Sequence, residues 1–148
     1  MAKISDNRTG MEGIWPMRKL TRKSLEKKAD RLWSLCTIKR DKSCQWVMEK
    51  ATKTKKAVLC GSTSNLSSHH IRTRDNHNTK YSLNNSICLC WSHHVLQKYR
   101  PQKFHDGIID IIGQAKYDYL RELSEAVCKL SMDDLREIVE SLQRELDG

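Results

Sequence analysis

Between Cys60 and His94 the chain carries, in order, Cys60-Gly61, His69-His70, Asn84-Asn85 and Cys90-Trp91-Ser92-His93-His94. Thiolate and imidazole are the ligands that zinc prefers. Imidazole also exchanges a proton near neutral pH, which suits it to general-base work. Hydrolysis of a phosphodiester requires an activated water, a cation to neutralise charge on the phosphate and the leaving oxygen, and a group that keeps the base oriented. A histidine pair, an asparagine and a closing histidine, beside further thiol and imidazole ligands, supply those types within 35 residues. Ordinary strand histidines would explain His69-His70 alone, but not their company with Asn85 and His93-His94.

The elements that must position these residues can be read from pattern. Leu25, Ala29, Leu32, Trp33 and Cys36 form an apolar stripe, so Thr21 to about Arg40 is predicted as a helix. Its opposite face carries Arg22, Lys23, Lys27, Lys28, Arg31 and Lys39. Cys44–Met48 and Ala57–Cys60 are short β-prone runs around a basic turn, and they predict a hairpin. A symmetric hairpin sets Cys44 opposite Cys60 and Trp46 opposite Val58. Directly opposed residues have Cβ atoms ~5 Å apart, so both thiolates would reach one metal. Asn65–Arg72 and Asn85–Leu89 read as strands, and Trp91 to about Tyr99 as a helix stopped before Pro101. His69 and His70 are adjacent on a strand and point to opposite faces. They can serve one site only if a bulge or twist brings both rings to it. Further helices are expected over Phe104–Ile112, over roughly 115–129, and after a Ser131 cap with Asp133 and Asp134 in the first turn. Cys36 and Cys128 lie on apolar helical faces and read as core thiols. The fold class is therefore α+β.

The residues from Cys60 to His94 resemble the HNH, or ββα-metal, nucleases. In that resemblance His69 stands at the first metal ligand, His70 at the general base, Asn85 at the asparagine and His94 at the last metal ligand. Ala29-Asp30-Arg31-Leu32-Trp33-Ser34 with Ile38-Lys39-Arg40-Asp41 is similar to the leader of the NinG/Rap family of phage recombination endonucleases. Cys60-Gly61, His70-Ile71 with Arg74, and Lys80-Tyr81 extend the likeness, which covers residues 25–146. It implies a metal-dependent endonuclease acting on DNA, including branched recombination intermediates. The implied cofactors are a structural Zn²⁺ and a catalytic Mg²⁺ or Mn²⁺ held by His69 and His94. Such families hold zinc with two Cys-x-x-Cys pairs, but here Ala57 occupies the first cysteine position and His93 ends the second pair. The zinc set then comprises Cys60, Cys90, His93 and either Cys44, from the opposite hairpin strand, or Cys88.

Charge points the same way. Residues 1–105 hold 22 Lys/Arg against 7 Asp/Glu, whereas residues 106–148 hold 5 against 11. A basic body favours a polyanionic partner. Lys53, Lys55 and Lys56 in the hairpin turn, and Arg72, Arg74 and Lys80 beside the histidines, are the candidate DNA contacts. The first twenty residues carry no secretory pattern and no run suits a membrane span, so a cytoplasmic protein without a membrane partner is expected. In that compartment the 6 cysteines suggest metal ligation over disulfides. The expected organisation is a basic arm over 1–20, an N-terminal helix with the zinc-bound nuclease core over 21–102, and a helical extension over 103–148. The apolar stripes of that extension suit a homodimer contact or packing onto the body. Two other functions fit the pattern: a non-catalytic nucleic-acid-binding zinc module, and a homing-type nuclease.

Overall fold

The computed structural model describes residues 20–73, 77–126 and 128–148. The expected arm and the side chains of Arg74 and Val127 lie outside these. The architecture is α+β, with helices packed around two small antiparallel sheets. Helix α1 spans Arg22–Asp41, and Thr21 and Ser24 close a reciprocal capping box at its start. Strands β1 (Val47–Glu49) and β2 (Val58–Leu59) form one sheet. Strands β3 (Leu66–His70) and β4 (Ser86–Cys90) form the other. Then follow the short helices α2 (Trp91–His94) and α3 (Leu96–Tyr99), and the longer α4 (Pro101–Ile112), α5 (Gln114–Glu125) and α6 (Met132–Asp147).

The β3–β4 ladder is regular, from Leu66 opposite Cys90 to His70 opposite Ser86, and every residue of β4 is buried. A two-stranded sheet is marginal alone and needs both faces covered. One face lies against α1. There the Ser68 hydroxyl donates to Ser34 at 2.7 Å, and Trp33 stacks on His70. The end of α1 grips the outer edge of β4. Arg40 donates to the carbonyls of Leu83 and Ser86 at 2.6 and 2.9 Å, while Asp41 accepts from the Cys88 amide at 2.9 Å. The other face is covered by Trp46 with Phe104 and Ile108 of α4, which share a core with Ile87 and Leu89.

A second core joins α1 to α6. The predicted stripe of α1, Leu25 to Cys36, is buried against Leu135, Val139 and Leu142. Ser131 caps α6 as expected, with Asp134 completing a capping box. The stripe of α6 is therefore spent within the chain, where it does not require a dimer partner. Within residues 103–148, α4 covers the sheet and α6 completes the α1 core.

Three expectations about element bounds are corrected. The hairpin pairs Val47 with Leu59 and Glu49 with Val58, with an irregularity between them, and Cys60 N–H donates to Trp46 O. Partners are thus shifted from the symmetric register by two residues at Val47 and by three at Glu49, beyond the irregularity. A two-residue shift preserves which face each side chain takes, so Cys44 and Cys60 still converge. The 91–99 helix is split at Val95, where Lys98 N–H bonds the Val95 carbonyl three residues back. Helix α5 ends at Glu125 rather than near 129, because the Asn78 amide donates to the carbonyls of Leu123 and Ala126 at 2.9 and 2.7 Å. A side chain 45 residues distant supplies that cap, so no local pattern announces it.

Gly107 of α4 marks the tightest approach in the core. A Cβ there would overlap the indole of Trp46, which is itself stacked on His93 and Phe104. Gly107→Ala should gain about 1 kcal/mol of helix propensity. Overpacking against a ring held on two sides costs typically ~1–3 kcal/mol. A net loss of stability in urea unfolding is expected; a variant as stable as the parent would show that the indole has room to move.

Candidate metal centre and histidine cluster

Four donors from three chain segments meet at one end of the sheet. Cys44 lies before β1, Cys60 follows β2, Cys90 ends β4 and His93 sits in α2. Their ligand atoms all lie within 4.8 Å of one another, the one such group of three or more among the described residues. His93 Nδ1 is 3.5 Å from Cys44 Sγ and 3.3 Å from Cys90 Sγ. Tetrahedral zinc, with bonds of ~2.3 Å to sulfur and ~2.0–2.1 Å to nitrogen, places neighbouring donors roughly 3.5–3.8 Å apart. The Cys₃His set therefore fits a metal ion such as zinc. Cys44 is the hairpin's contribution. Cys88 stays outside the group, buried near Asp41, and burial followed by the Asp41 charge pushes its thiol up to about 11.

The electrostatics of the thiols explain why a cation suits this position. Burial pushes Cys44 up to about 12. Burial also opposes ionisation of Cys90, but hydrogen bonds from the His93 backbone and from Cys44 and Cys60 outweigh it and lower its pKa. One thiolate is thus stabilised by its neighbours, and a second would be an uncompensated buried charge. A divalent cation reverses that cost and deprotonates coordinating thiols. His93 is braced for the role by Trp46, whose ring stacks on it at 5.1 Å and 8°. Burial first, then Lys103, lowers its pKa, which favours the neutral, ligating imidazole.

The next residue along, His94, belongs to a different cluster. Its ring meets His69 edge-on at a centroid distance of 5.3 Å, and Phe104 closes over His69 at 4.9 Å. His94 Nδ1 is 2.9 Å from the Ser67 hydroxyl, so any ligand it bound would meet Nε2. Ser67 and His69 share a strand face, two residues apart. His69 is only 7% exposed. Burial, then the charges of His94 and His70, depresses its pKa to about 3. Burial also lowers that of His94. Both shifts favour the neutral imidazole that metal ligation requires.

His70 lies on the opposite face of β3. No bulge interrupts the ladder, so the strand does not bring both rings of the pair to one side. The His70 ring stacks on Trp33 at 3.8 Å and 8°, and Nε2 is 2.9 Å from the Lys80 carbonyl. A carbonyl only accepts, so Nε2 carries the proton and any proton acceptance falls to Nδ1. Asn85 is fully buried and acts on the same loop. Its Oδ1 accepts from Arg72 N–H at 2.7 Å, and its amide donates to the carbonyls of Arg72 and Thr79 at 3.1 and 3.2 Å. It therefore ties Arg72 to Thr79, the residue before Lys80.

The basic residues divide. Lys53, Lys55 and Lys56 are all exposed in the β1–β2 turn, whereas Lys50 pairs with Asp110 at 3.4 Å. Lys80 lies over the Tyr81 ring at 5.2 Å. Arg72, expected to face phosphate, instead spends its guanidinium on α5, donating to Ser124 Oγ and Tyr117 OH at 3.1 Å each. Trp33, Trp46, Ser67 and Tyr117 were not among the predicted site residues. Only Ser67 carried a local signal, its strand spacing from His69; the others reach their partners through packing.

Comparisons with protein-family models, curated proteins and solved structures return no match. No described helix is long and apolar enough to cross a membrane.

Two outcomes are expected. Purified protein should contain about one tightly held zinc per chain, lost in Cys44→Ser and Cys90→Ser but kept in Cys88→Ser; metal analysis with the reverse pattern would reject the ligand set. The depressed pKa of His69 means that the unfolded chain binds more protons than the folded one between about pH 6.5 and 3. Its contribution is whole above 6.5 and is lost as pH falls toward 3. Urea midpoints should therefore drop through that range, and His69→Gln should flatten the drop.

Proposed function

We propose that this protein is a zinc-stapled endonuclease of the HNH type that hydrolyses DNA phosphodiesters with one catalytic divalent ion. The observation that carries the reading is the β3–β4–α2 unit, which sets His69 beside His94 and anchors α2 through the adjacent His93. His69 and His94 would hold Mg²⁺ or Mn²⁺, which when bound neutralises phosphate charge. His70 is the general base, with its ring held by Trp33 and the Lys80 carbonyl. His70 is the last paired residue of β3, so a phosphate laid across the strand end can meet groups from both faces. Asn85 keeps the loop around His70 in shape. The zinc in Cys44, Cys60, Cys90 and His93 is structural, and the exposed lysines of the β1–β2 turn hold the DNA backbone. Branched recombination intermediates are the proposed substrate, by resemblance to the NinG/Rap endonucleases.

A second reading is favoured by one observation: His70 and His69 face opposite sides of β3. A nucleic-acid-binding zinc module without catalysis would tolerate that separation. Incubation with supercoiled, linear and four-way-junction DNA, with and without Mg²⁺ or Mn²⁺, separates the two. Metal-dependent cleavage supports the nuclease, and salt-sensitive binding without cleavage supports the module.

His70→Ala should reduce cleavage on the order of 10²–10⁴-fold while folding and DNA affinity stay near those of the parent. Activity within a few-fold would remove His70 from the base role. The triple variant Lys53→Ala, Lys55→Ala, Lys56→Ala should bind all sequences more weakly and flatten the salt slope by roughly one unit per lost phosphate contact. An unchanged slope would place the DNA elsewhere.

A further inference from the structure

Within the β3–β4 connection, the described residues on either side of 74–76 are held from outside as well as from within. Asn85 ties them from inside, through Arg72 and Thr79. From outside, Arg72 reaches α5 through Ser124 and Tyr117, with its guanidinium 5.8 Å from the Tyr117 ring centre. Ser124 is itself buried and fixed by donating to the Arg121 carbonyl at 2.8 Å. Further along, the Asn78 amide spends both hydrogens on the carbonyls of Leu123 and Ala126 at the end of α5. Two residues after Asn78 comes Lys80, whose carbonyl receives His70 Nε2. The loop is thus pinned to α5 near both ends, and its last pinned residue stands next to the pair that leads to the His70 partner.

We propose that α5 positions the His70 imidazole: Arg72 and Asn78 fasten the loop to α5 so that the Lys80 carbonyl holds the Nε2–H tautomer. The proposal rests on the reading of His70 as the base for its catalytic consequence, but its structural claim concerns the orientation of one ring. Arg72 and Asn78 are positioning residues, since neither reaches the proposed reacting atoms except through the loop. Tyr117 and Ser124 are their anchors. The purely structural alternative is that these bonds only dock α5, in which case the His70 ring is indifferent to them.

The test uses the full chain with its metal bound and compares Tyr117→Phe with Asn78→Asp. Tyr117→Phe removes one acceptor and keeps the ring. Asn78→Asp keeps the shape and removes both donated hydrogens. Nitrogen-15 spectra of the histidine rings report the His70 tautomer without reference to activity. The parent should show a fixed Nε2–H form, and each variant a mixture with Nδ1–H. Single-turnover cleavage of duplex DNA should fall about ten-fold or more, because small misplacements of a base are costly. DNA affinity should stay within two-fold of the parent. A folded Tyr117→Phe or Asn78→Asp protein with the parental tautomer overturns the proposal. If Asn78→Asp does not fold, the Tyr117→Phe spectrum decides alone. Absence of cleavage by the parent would reject the nuclease reading, and the tautomer would still answer the positioning claim.

Discussion

The structure depends on covering both faces of a two-stranded ladder. Five residue pairs of β3 and β4 cannot bury enough apolar surface to stand alone. Helix α1 takes one face and α4, with Trp46, takes the other. Each cover also reaches a histidine. Trp33 of α1 stacks on His70, and Phe104 of α4 closes over His69. The packing that makes the sheet stable is therefore the same packing that holds the candidate chemistry, and strand alternation divides that chemistry between two sides.

The Cys₃His centre solves a related problem of size. The core near β1 and β2 is thin, with Met48, Val58 and Leu59 exposed. Three thiols gathered there would repel one another once ionised, and burial already resists ionisation of Cys44. A bound cation turns the same group into a cross-link between the hairpin, the end of β4 and α2. His93 couples that cross-link to the next residue, His94, and so to His69. A rigid metal centre one residue from a candidate catalytic ligand limits how far that ligand can wander.

Acidic and basic regions are interwoven in space although they are separated along the chain. The acidic C-terminal segment supplies Asp110 to Lys50, and its tyrosine and serine to Arg72. It also covers the α1 core through α6. Exposed positive charge remains in the β1–β2 turn, along α1 and at Lys98, Arg100 and Lys103.

Much was legible from residue type and spacing alone. Periodicity identified α1 and its buried stripe, because a long amphipathic helix repeats its signal over several turns. The Ser131 cap and the α+β class were readable for similar local reasons. Cys60, Cys90 and His93 stood out as soft-metal ligands, but the fourth lay open between Cys44 and Cys88 until the fold gathered Cys44 with them. What the tertiary structure alone decided depended on distant partners. Asn78 ends α5, Arg72 turns from solvent to Tyr117 and Ser124, and α6 spends its stripe on α1. The separation of His69 from His70 was foreseeable as an alternation rule, but only the unbulged ladder and the helix on each face determined that it holds. Local sequence encodes which face a side chain takes; what waits on that face is set by segments far along the chain, through packing that leaves no trace in spacing.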